Sequence, residues 1–561
     1  MNAFFFRIIG PACLLGFTFG VTAAAAPKPM PPISLDGVVE ERLMIPMRDG
    51  VRLSGWVIRP KGEGKWPALF EQRHADNTST SIRKAAAEVA RAGYAVAGVN
   101  FRGTHDSEGQ FMSFRGVGWG EKRDGYDICE WLAAQPWCTG AVGTYGGSQG
   151  GYVQNYLAVT RPPHLVSQFM VDTGLSYFHD GYRVGGTTRS AKYRAQGEAS
   201  GSAADNVRLV AERDSHPIYD DFWKMEDASL HFDKMNVPCI TMGSWFDFLV
   251  HACIRSYLGR QNHGGPQSRG RQQLIIGPWS HGRLNKSNKV GELVFPENAA
   301  WPEHEHTIRW FDYWTKGMDN HIMEDAPVRY YVMGATGESG APGNVWREAR
   351  DWPPAAREIR MYFQEGGKLA TTASAGKKAG TTFHSDPLNP MSLPDRRFAG
   401  ARDAHEFETQ KDVRTWTTEP LTEPVEWTGE IKAEVWLSST ALDTDLLMRV
   451  SDVYPDGRSI LLMEFPTRAR YREGYDRQVL LKPGEPALLK WHVGWTSLIF
   501  NRGHRMRVTI SSTGAPFFEP NNQTGGPQTA DWLKAARAAD NTIWHDAARP
   551  SCIVVPVMAV K

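Results

Sequence analysis

From about residue 35 to residue 160, short apolar runs bounded by glycine or proline alternate with longer stretches of helical periodicity. That rhythm predicts βαβ units and a largely parallel sheet, since a strand buried on both faces reads as a continuous apolar run while its covering helix is apolar on one side. The pattern predicts strands over Trp66–Glu71, Tyr94–Asn100 and Ala141–Tyr145, with helices over Ser81–Ala92 and Glu121–Gln135 between them. Residues 161–235 break the rhythm with glycine, serine, arginine and aromatic residues, as expected of a helical cap inserted over a site. It returns at Val237–Met242 and Gln273–Ile276 and ends in Thr307–Lys316 and Val328–Met333, so the expected α/β core comprises residues 35–160 and 236–354. Past Pro354 the alternation has period two, in runs such as Ile431–Leu437, Leu446–Asp452, Ala487–Val493 and Arg505–Ser511. Turn pairs Asp456-Gly457 and Pro483-Gly484 separate them, which predicts an antiparallel β-sandwich over 355–561. The Ala, Gly, Lys and Thr-rich segment 367–382 reads as a loop.

Length agrees with several folded units, because 561 residues exceed the roughly 250–300 at which one core stops growing. Lys plus Arg (63) and Asp plus Glu (62) leave a formal charge of +1. That balance excludes a partner reached by long-range attraction, nucleic acid above all. The first 26 residues differ from the rest: Arg7, the apolar stretch Ile8–Val21, then Ala23–Ala26 before Pro27. This is the composition of a secretory signal cut near Ala26. A membrane anchor fits less well, since Gly10, Pro11, Gly16 and Gly20 interrupt an apolar core shorter than the ~20 residues a span requires. The expectation is an exported protein, periplasmic or secreted, with no stable membrane insertion. Loss of the signal leaves Cys129, Cys138, Cys239, Cys253 and Cys552, with no C-x-x-C pair. A thiolate metal site is therefore not expected, while a Cys129–Cys138 bridge and buried free thiols both stay open.

The chemistry concentrates in Gly143-Thr-Tyr-Gly146-Gly147-Ser148-Gln149-Gly150-Gly151, a G-x-S-x-G between an expected strand and an expected helix. A strained strand-to-helix turn lifts a serine Oγ above the sheet and needs small flanking residues to form. A hydroxyl is a poor nucleophile without a base and an acid to orient it, and in this fold these follow in the order Ser, Asp/Glu, His. Asp247 follows the expected strand Val237–Met242, among Trp245, Phe246 and Phe248; His281 follows Leu274-Ile-Ile-Gly-Pro-Trp-Ser. Taken in order after Ser148, each at a strand end, they are the candidate triad. The polar turns His105-Asp106-Ser107-Glu108 and Asn320-His321 to Glu324-Asp325 have no metal-ligand spacing and read as solvated loops. Trp119, Tyr177, Phe178, Tyr182, Trp245 and Trp279 are candidates for a pocket lining or for plain core.

These triad segments, with Asn100-Phe-Arg102-Gly103-Thr104, Ser107-Glu108-Gly109 and Trp137-Cys-Thr-Gly-Ala-Val-Gly143, resemble the cocaine esterase and X-prolyl dipeptidyl peptidase family, which includes the α-amino acid ester hydrolases. The resemblance spans nearly the whole mature chain. It implies an α/β-hydrolase core, a helical cap and a C-terminal jelly-roll sandwich, with Ser148 as nucleophile, Asp247 as acid and His281 as base. It also implies an oxyanion hole made of the Gln149 N–H and a tyrosine hydroxyl from a Pro-Tyr loop. Here that loop reads Gln72-Arg73-His74-Ala75-Asp76-Asn77, without tyrosine, and His74 is the substitute candidate. For the acidic cluster that binds a substrate ammonium in the amino-ester branch, Asp76, Asp180 and Glu198 are the candidates.

The expected activity is hydrolysis of a small-molecule carboxylic ester through an acyl-enzyme, with no cofactor and no metal. Two alternatives stay open: amide or peptide hydrolysis by the same triad, and a non-catalytic binding protein, since the sandwich resembles carbohydrate-binding modules.

Overall fold

The computed structural model describes residues 29–189, 203–282, 288–390, 400–512, 514–527 and 532–560. The signal-like leader and Glu198 lie outside them. The first unit is a ten-stranded sheet. Its strands are β1 (Val38–Pro46), β2 (Arg52–Pro60), β3 (Trp66–Arg73), β4 (Ala95–Asn100), β5 (Cys138–Gly147), β6 (Leu165–Val171), β7 (Cys239–Phe246), β8 (Gln272–Ser280), then Val328–Val332 and Val345–Ala349. The spatial order is β1-β2-β4-β3-β5-β6-β7-β8 followed by those last two. Pairing is antiparallel at the two ends and parallel from β4 through Val328–Val332.

Alternation along each strand sorts residues to two helical layers. Leu69 and Val96 face helix α1 (Thr80–Arg91) and Trp310 and Phe311 of the helix Glu303–Lys316. Ala68, Phe70, Ala97 and Val99 face helix α2 (Asp124–Ala133) through Ile128 and Leu132, and helix α3 (Gln149–Thr160) through Leu157. The parallel strands thus have both sides covered, as their unbroken apolar runs require.

One boundary differs from the sequence reading. Residues 161–235 were expected to form the cap, yet Leu165–Val171 is a core strand between β5 and β7, and the insertion begins only after it. Its disguise is a buried polar network. Ser167 and Gln168 are fully enclosed, and Gln168 bonds Thr144 Oγ1, Gln154 O and Arg260 Nη1 at 2.9–3.1 Å. These bonds offset the cost of burying an amide in a strand, but they break the apolar run by which such a strand is recognised. The insertion then runs through the turn Tyr177–Tyr182 and the helix Ala203–Asp214 before returning at Cys239.

From Arg357 onward the regular structure of the described chain is mostly strand, in a twelve-stranded sheet folded into the C-terminal sandwich. The expected loop 367–382 holds the short strand Lys368–Ala370 and the start of Gly380–Ser385. The sandwich is continuous with the α/β unit. Met333 N–H donates to Ser497 O, and Ile499 N–H to Met333 O, both at 2.9 Å. Around that junction Trp245, Tyr330, Trp352, Trp427 and Trp495 share one apolar core. The cap docks on the sandwich as well: Tyr219 N–H donates to Tyr475 O at 2.7 Å. The clefts beside β7 are consequently walled by all three parts of the chain.

Candidate active site

The candidate nucleophile sits in the turn that joins β5 to α3. Ser148 has φ 54° and ψ −114°, a region that costs a residue with a Cβ of order 1–3 kcal/mol and survives only where its surroundings over-determine it. Two glycines make the turn feasible. Gly146 has φ 132°, and a Cβ there would lie 2.8 Å from Glu71 Oε1; a Cβ on Gly150 would lie 2.6 Å from the same oxygen. Glu71 therefore underlies the turn. Burial raises its carboxyl, partly offset by Arg73, whose Nη1 is 3.6 Å away. The Ser148 N–H donates to Val171 O at 3.0 Å, tying the turn to the end of β6.

Two further strand ends deliver the acid and the imidazole. Asp247 leaves β7 with a fully buried side chain, and its Oδ2 lies 2.8 Å from Nδ1 of His281, the residue after β8. Oδ1 of Asp247 accepts from the Leu249 N–H at 3.0 Å, leaving the acid doubly engaged. His281 is more open, with 29% of its side chain exposed. A candidate base must be able to meet substrate and a candidate orienting acid need not, and the two exposures are compatible with those roles.

The third contributor is the loop after β3. His74 is buried, edge-on to Phe101 and Phe114 with ring centroids 5.8 and 6.3 Å away. Its backbone N–H and that of Ala75 both donate to Gln149 Oε1, at 2.9 and 3.1 Å. The residue next to Ser148 thus holds the His74 loop against the nucleophile turn. As the first residue of α3, Gln149 has a backbone N–H with no acceptor inside the helix, directed where the helix dipole favours negative charge.

The other sequence candidates separate. Asp76 caps its own exposed turn, accepting from Thr78 N–H and Oγ1 at 2.8 Å. Asp180 is fully enclosed and accepts from Leu175 N–H, Ser176 N–H and His251 Nε2 at 2.8–2.9 Å. Burial alone would raise Asp180; the hydrogen bond and charge of His251, with Arg255, hold it below the usual carboxylate range. Asp180 is thus committed to its own surroundings, whereas both bonds to the exposed Asp76 reach Oδ1 alone. Of the six aromatic candidates only Trp245 lines the cavity beside Asp247; Tyr177, Phe178 and Tyr182 pack in the cap core, and Trp279 under the sheet. That cavity, of about 80 Å³, lies between β7, the cap and the sandwich, with Val184, Phe248, Leu462, Phe465 and Phe518 among its mostly apolar walls. The turns at His105–Glu108 and His321–Glu324 are held by Arg42, Arg52 and their own hydrogen bonds. Cys129, Cys138, Cys239, Cys253 and Cys552 are buried free thiols, so the Cys129–Cys138 bridge is not made.

Residues 49–209 and 193–283 match the model of the X-Pro dipeptidyl-peptidase (S15) family, and residues 320–554 match that of the X-Pro dipeptidyl-peptidase C-terminal non-catalytic domain. The chain belongs to this family, that of cocaine esterase and the X-prolyl dipeptidyl peptidases. It is a serine hydrolase. A cocaine esterase from Rhodococcus sp. is 28% identical over 93% of this chain and 98% of its own length. An aminopeptidase from a marine sediment Thaumarchaeota archaeon (TM-score 0.78, 23% identity, 97% of this chain and 100% of that one) and an α-amino acid ester hydrolase (TM-score 0.79, 21% identity, 96% and 100%) share the fold. Like them, this S15-family hydrolase joins an α/β-hydrolase core to a β-sandwich.

Sequence reasoning missed two residues of the site. One is the side chain of Gln149, noted only for its N–H. The other is Asp172, which directly follows β6. Its Oδ1 accepts from Ser244 Oγ at 3.0 Å and its Oδ2 from the Gly282 N–H at 2.8 Å. The signal was present: an acid ending the run Phe169-Met170-Val171, much as Asp247 follows β7. Assigning that run to the cap hid it.

Proposed function

We propose that this chain hydrolyses carboxylic esters of small to medium acyl groups through a Ser148–His281–Asp247 triad. Ser148 Oγ attacks the ester carbonyl carbon as His281 Nε2 takes its proton. Asp247 accepts from Nδ1–H, which fixes the tautomer and stabilises the imidazolium as it forms. The oxyanion is held by the Gln149 N–H and, from the loop it clamps, by His74. Collapse expels the alcohol with the proton from His281, and water then enters by the same route to release the acid.

The observation that carries this reading is a serine in a strained turn after β5 and a 2.8 Å imidazole–carboxylate pair after β7 and β8, all at the C-terminal ends of parallel strands. Esters are preferred to amides bearing an α-ammonium because Asp180 is committed elsewhere, and because the cavity beside Asp247 is mostly apolar. The leader-like residues 1–26 extend the proposal to an exported enzyme, checked by the N-terminal residue of protein taken from the periplasm or medium.

The test is a paired panel of p-nitrophenyl esters, matching α-amino esters and dipeptidyl anilides, given to the parent and to Ser148→Ala. Ester cleavage by the parent alone, with little gain from the amine, is the expected result. A strong preference for amino substrates would reassign the chain to the peptidase or amino-ester branch. Activity that survives Ser148→Ala, or a Ser148 that no active-site phosphonate labels, would end the mechanism.

A further inference from the structure

β6 ends in an acid for which the mechanism above has no step. Asp172 is 1% exposed, with a left-handed φ of 44° that aspartate and asparagine tolerate better than other residues carrying a Cβ. It stands between two segments of the site, accepting from Ser244 Oγ on the Asp247 strand and from the N–H that follows His281. Its carboxyl and that of Asp247 share one buried cluster. Ligand atoms of Asp172, Asp247 and His281 all lie within 4.8 Å of one another, so β6, β7 and β8 each end in one member of a single cluster.

Two carboxyl groups within 4.8 Å of each other in a buried site do not both ionise at neutral pH. Each acid accepts from two donors, but it is Asp247 that pairs directly with the imidazole, so the proton sits on Asp172. Asp247 has the Leu249 N–H and faces the His281 Nδ1. Burial first, and then the Asp247 charge, raise the Asp172 carboxyl well above the usual range, against the opposing pull of His281 and the Gly282 N–H. Cys253, which faces the pair from the helix Val250–His263, has its thiol pushed up by burial and adds no charge.

We propose that Asp172 is a positioning residue of this hydrolase: a neutral carboxylic acid that donates to Asp247 and, by accepting from Ser244 and Gly282, ties the acid-bearing and histidine-bearing turns together. The inference rests on the triad reading. Its consequence is that Asp247 is the one anion of the cluster, so Nδ1–H of His281 meets a charged acceptor rather than a neutral acid.

The test compares the parent with Asp172→Asn and Asp172→Gly in kcat, KM and the pH profile of kcat/KM. Asparagine keeps a neutral donor, an acceptor and the left-handed backbone. Its kcat is expected within about threefold of the parent, with the acid limb of the profile within about 0.3 pH unit, since no charge has been removed. Glycine suits the backbone but leaves Asp247 without its donor and the two turns untied; kcat falls about tenfold or more while KM stays within about twofold. A role in folding alone would not produce that split. If Asp172 were ionised, the Asn variant would lose a charge beside the imidazole and its acid limb would drop by about one unit or more. That drop, or a Gly variant with the parent's kcat, overturns the proposal. Phosphonate labelling separates the two readings: a parent whose Ser148 fails to label overturns the triad and this inference together, whereas a labelled parent with a displaced Asn profile overturns the inference alone.

Discussion

Replacing Gln149 by leucine isolates the clamp between the nucleophile turn and the His74 loop. The side-chain oxygen accepts two backbone N–H groups, at 2.9 and 3.1 Å. Leucine matches the amide in length but accepts neither. Each bond contributes about 1 kcal/mol net, and water reaches this half-buried spot, so the loop's opening free energy falls by about 2 kcal/mol. At 1.4 kcal/mol per decade, that is about thirtyfold faster hydrogen exchange in a peptide spanning residues 72–78. Chemistry suffers through geometry: a misplacement of about 1 Å in a positioned donor costs about 10²-fold in kcat. Gln149→Glu separates the two effects, because a carboxylate still accepts both N–H groups and restores protection, yet sets a negative charge beside the developing oxyanion and keeps kcat at least about tenfold down. Parent-like exchange in Gln149→Leu would refute the clamp. Lost protection with an unchanged kcat would remove the loop, and His74 with it, from the oxyanion hole.

The remaining predictions follow from single features. Ser148→Gly relieves the positive φ and should raise stability by about 1 kcal/mol in denaturant melts while abolishing hydrolysis, whereas Ser148→Ala keeps its Cβ and gains nothing. Gly150→Ala drives a methyl toward Glu71 Oε1 and should cost about 1–3 kcal/mol together with most of kcat, read from melts and ester kinetics. The buried His504 joins Asp452 Oδ1 at 2.8 Å to Glu338 Oε1 at 3.0 Å, across the junction of the two units. Burial alone would lower its pKa, but the two acids raise it. Its stabilisation is then full below the unfolded value of about 6.5 and is lost as pH rises through the folded value. Melts of the parent should therefore fall across that window, with a smaller slope in His504→Gln. The five buried thiols should react with a thiol reagent only after unfolding, and a reductant should leave the melting temperature unchanged.

The C-terminal run Arg505–Ser511 shows how closely the pattern of residues can mark a strand. Its bounds in the structure are those that alternation predicts, because its side chains divide between core and outer face at period two. Trp66–Arg73, as a continuous apolar run, and the helix Thr80–Arg91, from its 3.6-residue period, were legible to within a residue or two. Leu165–Val171 was not. Its buried Gln168 is stable only in company with Thr144, Gln154 and Arg260, partners up to 92 residues away, and no local window contains them.

The candidate site divides along the same line. The chain suggested a strand end for each of Ser148, Asp247 and His281, and each directly follows a strand, β5, β7 and β8. The local sequence also determined the turn around Ser148, since only glycine suits the backbone of Gly146 and the space at Gly150. Tertiary structure alone decided how the remaining groups are used. It turned Asp180 inward to His251, set the Gln149 amide on the His74 loop, and brought Asp172 within 4.8 Å of Asp247. The physical reason is that a charge, a proton position or a hydrogen-bond partner belongs to a neighbourhood assembled from distant strands. Periodicity records only which side of its own strand or helix a residue occupies.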